Sequence, residues 1–236
     1  MFLTVPVIPA DAAGPMRTVT LYEGHVTMDI PHDWNDISGE SLEFYSLRSA
    51  EASGGRVAEI YQYGFRPDDP EMDFALPQIL IQIRESGRLR YGQFLHLPPL
   101  DKMQKSDNQR LAERAGPMLR GFELEAAIFD RSRYAVHLTN ALDLAIEGRV
   151  SVTTVSFLTE RGVFTVHCYA GAAQAEAMAP IFDRVIDSVR FDDELRYKPT
   201  LGDRWPPRPS TIAYVAAALI AIILVLSLIR SRRNRS

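Results

Sequence analysis

The side chains that could bind a metal or carry catalysis are few and widely spaced. The five histidines are His25, His32, His96, His137 and His167. None lies at the H-x-x-x-H or H-E-x-x-H spacing that places two ligands on one helix face, although ligands distant in sequence can still converge. The histidine pattern therefore favours surface or core positions over a metal site.

The single cysteine, Cys168, follows His167 in an alternating segment, GVFTVHCYA. Adjacent strand residues point to opposite faces, so these two side chains cannot pair with each other. A lone cysteine in an apolar strand is typical of a small core residue. We predict no nucleophile here, and one cysteine also excludes a disulfide framework.

Acidic and glycine-rich segments offer no clearer chemistry. Asp68, Asp69, Glu71 and Asp73 could hold Ca²⁺ through carboxylate oxygens, but they lack the spacing and the turn glycine of a dedicated site. The pair Gly54–Gly55 is not followed by Lys-Ser/Thr, and no Gly-x-Ser-x-Gly motif occurs. We therefore predict no catalytic, cofactor-binding or metal-binding residue, and we expect a protein that is not an enzyme.

Two segments hold residue types that are common in binding surfaces: one has three aromatic side chains, and the other has three arginines and a tyrosine. Arginine and tyrosine are enriched at the energetically dominant positions of protein interfaces. Alternation places the aromatic side chains of the first segment on one strand face, which fits a binding surface and a core equally well. The first segment holds Tyr61, Tyr63 and Phe65, and the second holds Arg84, Arg88, Arg90 and Tyr91.

Composition places the chain among ordinary globular proteins with appendages. It has 236 residues, of which 46% are hydrophobic and 24% charged, and its formal net charge is −4. This length fits one domain with extensions. Nucleic acid is not expected as a partner, because binding the phosphate backbone needs clustered Lys and Arg.

The segment Thr211–Ile229 predicts a transmembrane helix. Its nineteen residues, TIAYVAAALIAIILVLSLI, include no charge, glycine or proline. At about 1.5 Å per residue the helix would be roughly 28 Å long, close to the hydrocarbon thickness of a bilayer. We therefore predict a single-pass anchor and a lipid bilayer as one partner.

The charges that flank this segment predict its orientation. The tail, residues 230–236, holds four arginines and no acid, against Lys198, Arg204 and Arg208 before the segment. The positive-inside rule then places the tail in the cytoplasm and the domain outside. Residues 1–16 resemble the end of a secretory signal, with Ala10-Asp11-Ala12 as a cleavage site, but lack a basic start. A cytosolic, tail-anchored arrangement therefore stays open.

Between these ends, residues 17–191 show the periodicity of one folded domain. Alternation predicts a β-hairpin from Thr18–Tyr22 and Val26–Ile30, and turn residues separate the later strands. Further strands are predicted at Leu42–Leu47, Arg56–Tyr63 and Gln78–Ile83, then as an antiparallel meander at Gly121–Phe129, Tyr134–Leu142, Arg149–Leu158 and Gly162–Tyr169.

Two helices and a linker complete the predicted domain. Pro98 and Pro99 suit the first turn of a helix over 97–115, and apolar residues at spacings of three and four predict a second over 172–189. Pro180 either kinks that helix or marks its first turn. The four prolines of residues 192–210 predict an extended spacer between the domain and the membrane.

This order of elements resembles the PsbP-like (Mog/PsbP/DcrB) superfamily. The resemblance rests on Pro31 and Trp34 after the strand VTMDI, and on Ile186, Ser188 and Phe191 in FDRVIDSVRF. It implies an α+β domain, an α/β/α sandwich with a mainly antiparallel curved sheet. It also implies a non-enzymatic docking domain, since most members bind other proteins, but no partner-binding residue can be matched here.

We therefore expect a membrane-anchored domain that binds another protein. One alternative is a membrane-tethered enzyme or small-ligand binder, which would gather His137, His167 and carboxylates in a polar pocket. Another is a cytosolic, tail-anchored adaptor or chaperone. The identity of the protein partner is beyond the sequence.

Overall fold

The computed structural model describes residues 14–52, 60–67, 76–95, 97, 102, 119–144 and 148–204. These residues form two antiparallel sheets and two α-helices, an α+β architecture with a curved sheet that does not close. Apart from residues 97 and 102, the predicted helix over 97–115 lies outside the described residues, as do Gly54–Gly55, Asp68–Asp73 and His96.

The smaller sheet contains the predicted hairpin. Strand β1 (Met16–Leu21) pairs with β2 (Val26–Pro31), and the two-residue strand β10 (Arg190–Phe191) joins the other edge of β2. The connecting turn holds Tyr22, Glu23 and Gly24 at positive φ, the backbone region that reverses a hairpin tightly. The hairpin prediction is confirmed.

The larger sheet has seven strands, all paired antiparallel, in the order β3-β4-β5-β9-β8-β7-β6. The strand predicted at Gln78–Ile83 and the predicted meander are confirmed as β5 and β6–β9. The strands are β3 (Trp34–Asp36), β4 (Tyr63–Pro67), β5 (Gln78–Arg84), β6 (Leu119–Asp130), β7 (Ala135–Leu144), β8 (Gly148–Leu158) and β9 (Val163–Gly171).

One predicted strand is a helix. Residues Leu42–Leu47 belong to α1 (Gly39–Ala52), so the strand prediction there is wrong. Ser38 caps the helix, because its Oγ accepts a hydrogen bond from the Ser41 N–H at 3.2 Å. Leu42 and Tyr45, three residues apart, both face the core. Of the predicted strand over 56–63, residues 56–59 lie outside the described residues, residues 60–62 are not in a strand, and β4 begins at Tyr63.

The second helix, α2 (Ala175–Ser188), confirms the apolar spacing in the sequence. Met178, Phe182, Val185 and Ile186 are its buried residues. Pro180 lies inside the helix, so it does not mark the first turn.

The residues that carry the family resemblance meet where α2 packs on the small sheet. The Ser188 hydroxyl accepts a hydrogen bond from the Asp29 N–H at 2.7 Å and donates one to the Val185 carbonyl at 2.6 Å. The Trp34 ring lies edge-on to Phe182, with 6.4 Å between the ring centroids. These contacts fix α2 against β2 and the start of β3.

The larger sheet separates two hydrophobic clusters. Because side chains alternate along a strand, Leu80 and Tyr169 pack on one face and Ile79 and Cys168 on the other. Helix α1 contributes to the first cluster, and α2 with the small sheet contributes to the second. We call the face toward α1 the inner face.

Residues 192–204, which the sequence analysis assigned to the spacer, pack on the domain. Leu195 and Tyr197 are buried in the two clusters, and Asp203 is 2% exposed. Arg88 donates hydrogen bonds to both carboxylate oxygens of Asp203, at 2.7 and 2.6 Å. We call residues 192–204 the C-terminal strap, and the folded domain extends at least to its end.

The predicted transmembrane segment 211–229, the rest of the spacer and the tail 230–236 lie outside the described residues. Among the residues that are described, no helix has the length and apolar content needed to cross a bilayer.

A glycine under the strap supports a first prediction. A Cβ at Gly92 would press on the backbone carbonyls of Asp203 and Arg204, closer than real Cβ atoms approach. Gly92→Ala should therefore displace the strap and lower the free energy of unfolding by about 1–3 kcal/mol. Gly202→Ala in the strap is the control, because the nearest atom to its Cβ lies 3.9 Å away. Equal thermal stability of the two variants in detergent would contradict the packing described.

Candidate functional site: an arginine-lined cleft

A cleft of about 340 Å³ opens where the C-terminal strap passes the turn between β6 and β7. Segments far apart in sequence line the cleft, and together they supply three arginines and four aromatic rings. These side chains are Arg133, Tyr134, Phe157, Arg190, Phe191, Arg196 and Tyr197.

Arg133 is held in a fixed orientation at the wall of the cleft. Its Nη2 donates to the Ile186 carbonyl at 2.6 Å, and its Nη1 donates to the Asp187 carboxylate at 2.9 Å. The guanidinium carbon lies 4.9 Å from the centre of the Phe157 ring, within range for a cation–π contact. Three contacts therefore orient this guanidinium before any partner arrives.

The other two arginines are bound to backbone carbonyls. Arg190 Nη1 donates to the carbonyls of Asp187 and Val189, at 2.6 and 2.9 Å. Arg196 Nη2 donates to the Phe191 carbonyl at 3.3 Å, and its Nη1 lies 3.4 Å from the Asp193 carboxylate. Both residues are exposed, and Arg190 has no acidic partner among the described residues.

Aromatic rings line the cleft between the arginines. Tyr134 adopts positive φ in the β6–β7 turn, which brings its ring to 5.0 Å from Tyr197 and 5.4 Å from Tyr91. The Phe157 and Phe191 rings are 5.6 Å apart and edge-on. A positive φ is uncommon for a tyrosine, and such backbone conformations cluster at functional sites.

The chemistry of this cleft suits an anionic group attached to an apolar or aromatic body. Arginine presents a planar fork of N–H donors that matches carboxylate and phosphate oxygens. The carboxylates of Asp187 and Asp193 neutralise part of the charge, but both are largely exposed and so are weak competitors in water. The cleft is thus a positively charged surface region on a protein whose net charge is negative.

The polar pocket proposed for a small-ligand binder or enzyme is not formed as the sequence analysis described it. In the register of β7, β8 and β9, His137 is opposite Val155, and His167 is opposite Thr154. Because side chains alternate, His137 and His167 lie on opposite faces of the sheet. Burial lowers the pKa of His137, while the nearby Asp130 carboxylate raises it. His167 faces inward and is 1% exposed.

The remaining histidines are placed separately. The Nδ1 of His25 lies 2.6 Å from the Asp192 carboxylate, where it ties the start of the strap to β2. His32 is exposed at the turn after β2. Within the described part of the chain, no three His, Cys, Asp or Glu side chains come close enough together to hold a metal ion.

Cys168 lies on the face opposite His167 and has no exposed surface. Burial raises the pKa of its thiol, because the charged thiolate would lose its hydration. A thiol in this environment is unreactive.

None of the residues in the two segments that the sequence analysis singled out as aromatic or arginine-rich lines the cleft. Tyr61 and Phe65 are buried in different clusters, so they form no shared surface. Arg88 holds the strap, with hydrogen bonds to Asp203 and Glu160 and its guanidinium 4.6 Å above the Tyr197 ring. Sequence reasoning instead missed the cleft, because Arg133, Arg190 and Arg196 meet only through the fold.

Comparison with known proteins assigns the chain to no family. No family model matches the chain, and no curated protein matches it significantly. Solved structures that resemble it include cyanobacterial PsbP (CyanoP) from Synechocystis sp. PCC 6803, at 10% identity and a TM-score of 0.49, covering 80% of this chain and 99% of that one. The Ran-binding protein Mog1p of Saccharomyces cerevisiae matches at 12% identity and a TM-score of 0.42, covering 75% of this chain and 96% of that one.

LpqN of Mycobacterium tuberculosis, described as involved in cell envelope biogenesis, matches at 13% identity and a TM-score of 0.36, with 74% of this chain and 89% of that one covered. At these identities and TM-scores, the similarities assign neither a family nor a function to the chain.

Proposed function

We propose that this chain is a single-pass membrane protein whose PsbP-like α/β/α domain docks another protein. The observation that carries the proposal is the cleft, where three oriented arginines and four aromatic rings converge. Arginine and aromatic side chains dominate binding energy at protein interfaces, because they combine large contact area with directional hydrogen bonds.

The expected partner presents an acidic segment. Arg133 and Arg190 are held by backbone carbonyls, so little side-chain freedom is lost when a carboxylate binds. The tyrosine and phenylalanine rings would contact the apolar part of that segment. Such a complex should weaken as salt is raised, because part of the attraction is between exposed charges.

The membrane part of the proposal rests on the sequence. Residues 211–229 would form the anchor, residues 205–210 would join it to the strap, and the four arginines of 230–236 would stay in the cytoplasm. The domain would then lie outside the cytoplasm. A tag near Asp11 tests this orientation: protease added to intact spheroplasts should remove it, whereas protection until lysis would place the domain in the cytosol.

Charge reversal in the cleft tests the docking function. Arg196→Glu should lower the amount of acidic partner that co-purifies with the full chain from solubilised membranes at least tenfold, and added salt should lower it in the wild type. Because Arg196 is exposed, its replacement should change the stability by no more than about 0.5 kcal/mol.

Arg131→Glu provides the matched control. Arg131 is exposed in the same turn as Arg133 but does not line the cleft. The two variants carry the same charge change, so equal recovery of the partner by both would refute docking at the cleft.

A further inference from the structure

The arginine-lined cleft has an apolar floor and a charged rim. Arg190 and Arg196 are exposed and form the rim, and the rings of Tyr134 and Phe191 are half-buried beside them. The floor consists of four side chains whose exposed fractions are 1%, 2%, 4% and 6%: Phe157, Leu158, Val189 and Tyr197. A group that fills the cleft must therefore turn an apolar part inward and an anionic part outward.

The two arginines at the rim keep hydrogen-bond donors for a ligand, because each guanidinium carries five N–H groups. Within the described part of the chain, Arg190 uses only its Nη1, so its Nε and Nη2 can donate a parallel pair of hydrogen bonds to one carboxylate. Arg196 uses its Nη1 and Nη2 and keeps its Nε. A carboxylate can bind here without breaking the contacts that orient these side chains.

The cations and the aromatic residues lie close together. The guanidinium carbon of Arg133 is 4.9 Å from the centre of the Phe157 ring, and the Nη2 of Arg196 is 3.3 Å from the carbonyl oxygen of Phe191. In an extended peptide, neighbouring side chains point to opposite sides, and the next one on the same side is about 6.6 Å away. A residue that carries both a ring and its own terminal carboxylate matches the shorter spacing better.

The size of the cleft also favours a single residue. Its volume of about 340 Å³ is near the lower limit for small-molecule sites, which measure about 300–1,000 Å³. An α-helix at least 10 Å across occupies roughly 420 Å³ for each turn of 5.4 Å, so a helix cannot enter the cleft. The end of an extended chain can.

We propose that the cleft binds the C-terminal residue of the partner protein, and that this residue is aromatic. Its carboxylate is bound by Arg190 and Arg196 at the rim. Its ring packs against Tyr134 and Phe191, where aromatic pairs gain more than their buried area alone provides. This inference rests on the docking function and specifies the group that docks.

Photoaffinity labelling of the full chain in detergent tests the proposal, with N-acetyl-para-benzoylphenylalanine as the probe. The probe has a photoreactive ring and a free carboxylate, and its C-terminal amide differs only in lacking the charge. The acid should label cleft residues, Tyr134 or Phe191 among them, about tenfold more than the amide, the order of magnitude for losing a charge-assisted hydrogen bond. Mass spectrometry of the digested chain locates the label. Equal labelling of the cleft by acid and amide would overturn the proposal.

An internal acid provides the second comparison. The amide-capped peptide N-acetyl-aspartyl-glycyl-para-benzoylphenylalaninamide has the same ring, with a carboxylate two residues earlier. It should label the cleft no more than the simple amide does. Labelling as strong as that by the acid would show that the cleft does not select a chain terminus, which would overturn the proposal.

Two neutralising variants test the role of the rim. Arg196→Gln should lower labelling by the acid to the level of the amide. Arg131→Gln removes the same charge at an exposed position outside the cleft and should keep the wild-type labelling. Equal loss in both variants would show that only the general charge of the surface matters, against a site at the rim.

The docking function and this inference can fail separately. Where a photoreactive residue at Ser132 in the cleft captures a protein but acid and amide label equally, docking stands and the C-terminal residue is ruled out as the docked group. Where the acid is preferred but Ser132 captures no protein, docking is refuted and the cleft is a site for a free aromatic carboxylate.

Discussion

Replacing Asp203 by alanine should release the C-terminal strap and lower the free energy of unfolding by about 2–3 kcal/mol. The Asp203 side chain is 3% exposed and accepts two hydrogen bonds from Arg88. It also accepts one from the Thr200 N–H at 2.6 Å. Removing one partner of a buried ion pair costs about 3–5 kcal/mol, and we expect less here because Arg88 is 25% exposed.

Thermal unfolding of the full chain in detergent, together with limited proteolysis of residues 192–204, measures this effect. Glu194→Ala is the control within the strap, since its pair with Arg161 is exposed and should contribute under about 0.5 kcal/mol. If Asp203→Ala is as stable and as protease-resistant as Glu194→Ala, the strap is not held by the Arg88–Asp203 pair.

The same pair should make the strap sensitive to acid. The Arg88 guanidinium holds the pKa of Asp203 well below its ordinary value. Because the folded-state pKa is depressed, the stabilisation is present above the ordinary value, about 3.9, and is lost as pH falls below it. Protease cleavage within the strap should therefore accelerate below about pH 4 in the wild type, and Asp203→Ala should abolish that part of the change.

The second large effect is expected for His167 at mildly acidic pH. Burial lowers the folded-state pKa of His167 to about 3, against about 6.5 in an unfolded chain. The unfolded state therefore gains a proton that the folded state does not. The stabilisation is fully present above about pH 6.5 and is lost as pH falls toward 3, at about 1.4 kcal/mol per pH unit.

Chemical denaturation of the full chain between pH 7 and pH 4.5 measures that slope. In His167→Leu the unfolded state no longer takes up a proton at this position. The free energy of unfolding should therefore fall less steeply as the pH is lowered over this range. Identical slopes for wild type and His167→Leu would show that water reaches this side chain.

The fold was largely predictable where periodicity and turn chemistry agreed. The hairpin, the strand β5, the meander β6–β9 and the helix α2 each have a clear repeat and residues that end it. Helix α1 was misread because a short apolar run such as LEFYSL fits both a strand and a helix. The Ser38 cap and Glu40 in the first turn were the signals that could have decided it.

The composition of the C-terminal strap gave no indication that it packs on the domain. The four prolines of residues 192–210 and the charges among them predicted a spacer. Yet Leu195 and Tyr197 supply apolar anchors, and Asp203 pairs with Arg88, more than a hundred residues earlier. A salt bridge over such a separation leaves no local pattern in a sequence. The cleft was unpredictable for the same reason, because its arginines lie in a turn, a two-residue strand and the strap.

Site-specific photo-crosslinking in intact cells tests the docking proposal most directly. A photoreactive residue at Ser132, which is exposed and lines the cleft, should give one crosslinked protein product, and Arg196→Glu should remove it. The same residue at Glu40, exposed on α1 against the other face of the sheet, should give none. Two results would contradict a docking function for the cleft. One is the absence of a product from Ser132, and the other is a product that Glu40 also gives and that Arg196→Glu leaves unchanged.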